Sequence, residues 1–247
     1  MKRFFNWQVL LGISLIALSA VFYLIHYAIF RDSHHIFLYL IGDIAFVPIE
    51  VLLVTLIIHR LLEEREKQAM LKKLNMVIGA FFGEVGTALL KSFSVFDPQS
   101  ENIRRELIMA NKWSDKEFFD VSRRLEKYDC RIECKKDDMA DLKNFLEGKR
   151  SFLVTLLQNP NLLEHETFTD LLWSVFHLTE ELSLRTDVRK LPDADYEHLA
   201  GDIKRAYVLL ISEWLAYMKH LRDDYPYLFS LAIRTNPFDP NATPEVK

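Results

Sequence analysis

Three residues within one apolar stretch carry the most telling chemistry of this chain: Asp43, Pro48 and Glu50 stand inside IFLYLIGDIAFVPIEVLLVTLII, residues 36–58. An ionised carboxylate near the centre of a bilayer costs on the order of 2.5–3.5 kcal/mol, so acids in such a run must face protein or water, or hold a proton. Asp43 and Glu50 are seven positions apart, which puts them on one helix face about 10 Å apart along the axis. Between them Pro48 has no N–H to donate and its ring displaces the carbonyl of Ile44, which frees an acceptor and predicts a kink. Such a pair of acids can line an ion or proton pathway, with the shallower Asp43 also able to meet lipid headgroups. Alternatively, it can lock helix contacts in an oligomer.

Candidate partners for the acids lie in the preceding apolar run, WQVLLGISLIALSAVFYLIHYAI, residues 7–29. If the chain folds back near residues 32 and 33, position i faces roughly position 65 − i, given the constant rise of a helix. That register puts Phe22 beside Asp43, His26 one turn away as its nearest polar partner, and Ser14 near Glu50, to which its hydroxyl can donate. The connecting residues 30–35 hold Asp32, His34 and His35. Adjacent imidazoles can ligate a transition metal or respond to acid, and they are equally at home in a polar interfacial loop.

Each of the two runs spans roughly 35 Å as a helix, enough to cross a bilayer, and six residues between them force an antiparallel hairpin. Lys2 and Arg3 followed by an apolar stretch ending in Ala-Leu-Ser-Ala resemble a signal peptide, but the apolar run continues through Ile29 and a second follows at once, which favours an uncleaved anchor. Lys2, Arg3, Arg60, Arg65, Lys67, Lys72 and Lys73 flank the hairpin on one side, against Arg31 alone in the loop. Positive charge stays inside, so the expectation is an integral membrane protein with both termini cytoplasmic. Cys130 and Cys134 then sit in a reducing compartment as free thiols, and Asn241-Ala242-Thr243 is a glycosylation pattern with no access to the machinery.

The remainder reads as helices. From His59 the second run continues without Pro or Gly, and Leu71, Leu74, Ile78, Phe81, Phe82, Val85 and Leu89 recur at helical spacing, predicting one helix that carries the span into a juxtamembrane segment, residues 60–96. Gly79, Gly83 and Gly86 there permit close helix approach or a hinge, whether in a core, at the membrane interface or in an oligomer contact. Residues 97–235 predict a cytoplasmic bundle. Asp97 caps a helix with Pro98 at its first position and an end near Trp113; Ser114 to Glu117 form a capping box for the next, ending near Asp129. Three longer helices follow over residues 138–158, 165–185 and 193–224, then a short apolar segment, YLFSLAIR. Residues 129–136 have no assignable state, and residues 236–247 read as a flexible tail. The fold class is therefore all-α: a two-helix transmembrane hairpin, residues 1–59, continuing into a cytoplasmic bundle.

Composition and motifs narrow the function. With 31 Lys and Arg against 35 Asp and Glu, interleaved along residues 60–235, the chain offers no nucleic-acid surface. His177 beside Glu180 and Glu181, and Asp195 before His198, bring carboxylates near imidazoles, but a di-iron bundle needs two Glu-x-x-His pairs and two further inward Glu, and that set is absent. There is no phosphate-binding glycine loop, nucleophile elbow or His-Glu-x-x-His, so no enzyme, cofactor or bound metal is expected. The leading expectation is a non-enzymatic two-pass protein, oligomeric in the bilayer, whose helical domain regulates or binds a cytoplasmic protein. The alternative is a homo-oligomeric ion or proton pathway lined by the second span and gated by the bundle, because two helices alone enclose no pore.

Overall fold

The computed structural model describes residues 2–108, 113–125 and 128–245, and the regular elements among them are all helical, with no strand. The chain divides into two compact units, Met1–Glu66 and Lys67–Lys247.

In the first unit, helix α1 (Lys2–Phe30) is followed by α2 (Ser33–Phe81), a single helix of 49 residues that contains Pro48 without interruption. The turn is tighter than the six-residue loop expected, because two local devices close it. Arg31 takes the left-handed conformation at φ 53° and its N–H donates to the Tyr27 carbonyl at 2.9 Å, ending α1. Asp32 then accepts from the N–H groups of His34 and His35 at 2.9 and 3.3 Å, which opens α2 at Ser33. Both helices are long and apolar enough to cross a membrane, and none of either apolar stretch is buried within the chain. Trp7, Leu10, Ile16, Leu24, Ile41, Leu52 and Ile57 are all more than half exposed.

The second unit buries its own core. Of the helical series in the sequence, Leu74, Ile78, Phe81, Phe82, Val85 and Leu89 are each at most 3 % exposed, as are Leu90 and Phe93, while Leu71 is half-buried. That assigns the glycine-spaced stretch to core. After Phe81 the helix widens into a π turn, Phe82–Gly86, where the N–H of Thr87 donates five residues back to the Phe82 carbonyl, and α3 (Thr87–Phe96) resumes the α form. The glycines differ in what they do. A Cβ at Gly86 would come within 2.6 Å of the Phe82 ring and 2.9 Å of Phe81, both locked in the core, and one at Gly79 would stand 3.1 Å from the Tyr217 hydroxyl. Gly83 has open space around it.

Around this spine pack α4 (Ser100–Ile108), α5 (Asp115–Leu125), α6 (Lys136–Leu157), α7 (Glu166–Ser183), α8 (Asp193–Asp224) and α9 (Pro226–Arg234). Helix α8 is central, touching α3, α5, α7 and α9, while α6 covers α7. Its inward residues Leu199, Ile203, Ala206, Tyr207, Leu210 and Met218 are fully buried at the spacing that a helical stripe requires.

Several ends depart from the sequence reading for visible reasons. Asp97 is not the cap of a helix starting at Pro98: its Oδ1 accepts from the N–H of Gln99 at 2.9 Å in a local turn, its Oδ2 takes the Tyr128 hydroxyl, and α4 starts at Ser100. The described part of α4 runs to Ile108 and that of α5 to Leu125; the stretches leading to the expected ends near Trp113 and Asp129 include residues 109–112 and 126–127, which lie outside the described residues. The capping box is half made. Glu117 accepts from the Ser114 N–H at 2.5 Å and also from the Ser114 hydroxyl at 2.9 Å, which diverts that hydroxyl from capping. Residues 128–135 are irregular, tied down by the Glu133 N–H donating to the Phe96 carbonyl at 2.7 Å. The described part of the terminal segment, residues 236–245, is packed rather than free: Asn236 donates to the Leu107 carbonyl at 3.1 Å and Phe238, 1 % exposed, lies edge-on to Trp214.

Candidate functional site

In the first unit the structure brings part of the polar set together. A cavity of about 580 Å³ opens between α1 and α2, and its walls include Ser19, Phe22, His26, Tyr39 and Asp43. His26 is half-buried, its ring tilted against Phe30 at 4.7 Å, and its Nδ1 is shielded from solvent with no hydrogen-bond partner among the described residues. Apolar walls with one imidazole and one carboxylate suit a group that is mostly apolar and polar at one point.

The other members stand apart. The Ser14 hydroxyl donates to the Leu11 carbonyl one turn back at 2.8 Å rather than to Glu50, as hydroxyls in apolar helices commonly do. Glu50 is exposed on α2, two residues beyond Pro48. His34 and His35 sit in the first turn of α2, with the His35 ring edge-on to Tyr39 at 4.9 Å.

In the second unit the two thiols are inert. Burial pushes Cys130 up to about 11 and Cys134 up to about 12, with Asp97 and Asp138 adding to the respective shifts, so neither is an activated nucleophile. Beside Cys130, burial and then the hydrogen bond to Asp97 hold the Tyr128 phenol well above its usual range.

On the seam between α7 and α8 the fold brings together His177, Glu181 and His198, named in the sequence, with Asp202, which the sequence reading did not single out. His177 and Glu181 are four apart on α7, and His198 and Asp202 four apart on α8, so each pair occupies one helix face. The four side chains meet as an alternating ring: His177 Nε2 lies 3.9 Å from Glu181 and 3.5 Å from Asp202, and His198 Nε2 lies 3.7 Å from Glu181 and 3.5 Å from Asp202. Arginines hold the carboxylates from outside. Arg185 donates to Glu181 at 2.7 Å and in bidentate fashion to Asp195 at 2.6 and 2.8 Å, while Arg205 stands 3.4 Å from Asp202 Oδ1. Hydrogen bonding from Arg185 keeps both Glu181 and Asp195 below the ordinary carboxylate range. Two His-x-x-x-acid spacings are present in the sequence, but only the fold sets the two helices side by side, and Asp202 falls within an otherwise apolar face.

These features define an all-helical protein of two parts, an apolar helical pair and a bundle with its own core. The comparisons give the same division. Residues 2–62 match the family described as the N-terminal helical domain of MJ1433, and residues 70–234 match the C-terminal helical domain of the uncharacterized protein MJ1433. The boundary between the two compact units, at Glu66 and Lys67, falls between those matches. The chain is 48 % identical over 234 residues to the uncharacterized protein MJ1433 of Methanocaldococcus jannaschii, covering 95 % of this chain and 94 % of that protein. It belongs to the MJ1433 family. No solved structure matches it.

Proposed function

We propose that this chain is a two-pass integral membrane protein whose first unit anchors and assembles it in the lipid bilayer and whose helical second unit is a cytoplasmic interaction and regulatory domain without catalytic activity. One observation carries the reading. The bulky apolar side chains of α1 and of the first half of α2 point outward on every side, whereas the second unit packs a contiguous apolar core and exposes only scattered large apolar residues such as Val95 and Phe119. A protein surrounded by water rarely exposes an apolar patch beyond about 600 Å², which supports an apolar environment for these helices. A core helix of a soluble protein would show the opposite, and a lone signal sequence would not be followed by a second apolar run of equal length. The positive charge clustered near the hairpin ends supports a cytoplasmic bundle.

The polar groups of the hairpin favour more than one copy in the bilayer. Glu50 stands exposed near the middle of the second apolar run, where a carboxylate needs a partner or a proton, and a neighbouring copy supplies the one or relieves the need for the other. The same placement, with Asp43 at the cavity, supports a second reading in which several copies form an ion or proton path around an axis. Alkaline carbonate extraction of membranes from expressing cells tests the anchor: the full chain should stay with the pellet and be released by detergent. Release into the carbonate supernatant would remove the proposal. In proteoliposomes, Glu50→Gln separates the two readings. A pathway loses or changes its flux, and an assembly contact shows background flux in both forms.

A further inference from the structure

We propose that the ring formed by His177, Glu181, His198 and Asp202 is a binding site for a divalent cation of zinc's class, which would clasp α7 to α8. The chemistry of the donors comes first. Two imidazole Nε2 atoms and two carboxylates are a borderline-soft N/O set, the kind that takes zinc and its first-row neighbours rather than magnesium or calcium. Each helix supplies its two donors at i and i+4, the spacing that lets two side chains of one face reach a common point.

The dimensions come second. A four-coordinate ion with bonds of about 2.1 Å has donor-to-donor edges of about 3.4 Å. The four contacts are 3.5, 3.5, 3.7 and 3.9 Å, the two of Asp202 made by one oxygen and the two of Glu181 by different ones, Oε1 to His177 and Oε2 to His198. The ring is thus slightly too wide, and among the described residues no group of three or more His, Cys, Asp and Glu is closed tightly enough to grip an ion as it stands. A turn of the Glu181 carboxylate that presents one oxygen to both imidazoles, together with a closing of about 0.5 Å, brings four donors to bonding distance of one ion.

The third observation concerns a group that lacks a partner. Asp202 is 4 % exposed, its Oδ1 faces Arg205, and its Oδ2, turned into the ring between both imidazoles, has no hydrogen bond among the described residues. A buried carboxylate oxygen left without a donor is costly, and an ion at the centre of the ring satisfies it. Arg185 and Arg205 orient the two carboxylates from behind, the role that outer partners play around ligating groups. His177 and His198 are 46 % and 53 % exposed, which leaves the ion a way in from solvent. This site does not depend on the membrane reading.

The test uses the full chain, free of any tag, purified metal-free in mild detergent and dialysed against Zn²⁺. The expected result is one Zn²⁺ retained per chain, lost in the His177→Ala, His198→Ala double variant and roughly tenfold weaker in Asp202→Asn, which keeps the shape of the side chain. If the double variant loses its helical spectrum, Co²⁺ added to the unaltered chain decides: a visible band of tetrahedral cobalt supports the site. No retained Zn²⁺, undiminished Zn²⁺ in a folded double variant, or no cobalt band would overturn it.

Discussion

Leu53→Arg is expected to raise the cost of inserting the second apolar run by about 2.5–3.5 kcal/mol, roughly a hundredfold shift in the inserted fraction. Leu53 is 51 % exposed, near the middle of that run. The prediction is sharp because the two environments disagree by the full amount. In water, putting Arg at an exposed helical position changes stability by no more than about 0.5 kcal/mol. In hydrocarbon the guanidinium must be desolvated or dragged to the interface. Val95→Arg supplies the contrast within the same chain, since Val95 is 66 % exposed on α3 of the second unit and its replacement should be nearly neutral. An insertion assay on the hairpin reads the first effect, and thermal unfolding of the bundle reads the second. A neutral Leu53→Arg would mean that the exposed apolar surface is covered by something other than lipid.

The second large effect belongs to the bundle. Phe168→Ala should destabilise the second unit by about 3–5 kcal/mol, the sum of the lost transfer energy and the cavity left behind. Phe168 is fully buried on α7, its ring edge-on to Phe81 at 5.5 Å, and its N–H is capped by His165 Nδ1 at 3.2 Å. It therefore joins the helix that follows the hairpin to the α7 and α8 pair. Phe168→Leu, which keeps most of the volume, should cost no more than about 1.5 kcal/mol. Denaturant unfolding of the full chain, followed by the buried Trp113 and Trp214, measures both. A loss of under about 1 kcal/mol for Phe168→Ala would show that the aromatic contact is not central to the packing.

Much of the architecture could be read from residue spacing. Helix α8 begins and ends where Pro192, Asp193 and Pro226 predict, and the glycine-spaced stretch is helical with its apolar residues inward. Short-range signals proved less reliable wherever a side chain had two uses. Asp97 carries a cap-like sequence, but Tyr128, 31 residues away, claims its second oxygen and buries it. Ser114 gives its hydroxyl to Glu117 instead of to the backbone. The terminal prolines suggested a loose tail, yet Phe238 finds a slot beside Trp214 that only the folded bundle creates. Of the polar residues singled out in the hairpin, His26 and Asp43 share a cavity, while Ser14 satisfies its own helix and Glu50 stands alone. The His177 to Asp202 ring was hidden for a related reason. Neither His-x-x-x-acid pair means anything until α7 and α8 are known to face each other.

The central claim is that the two apolar helices cross a bilayer and leave the bundle on the cytoplasmic side. It is tested most directly by labelling single cysteines in intact cells with a membrane-impermeant maleimide, after Cys130→Ser and Cys134→Ser remove the native thiols. Ser33→Cys, in the turn between α1 and α2, should be labelled from outside, whereas Thr186→Cys, exposed beyond α7, should be labelled only after the cells are permeabilised. Labelling of Thr186→Cys in intact cells, or protection of Ser33→Cys until permeabilisation, would contradict the account.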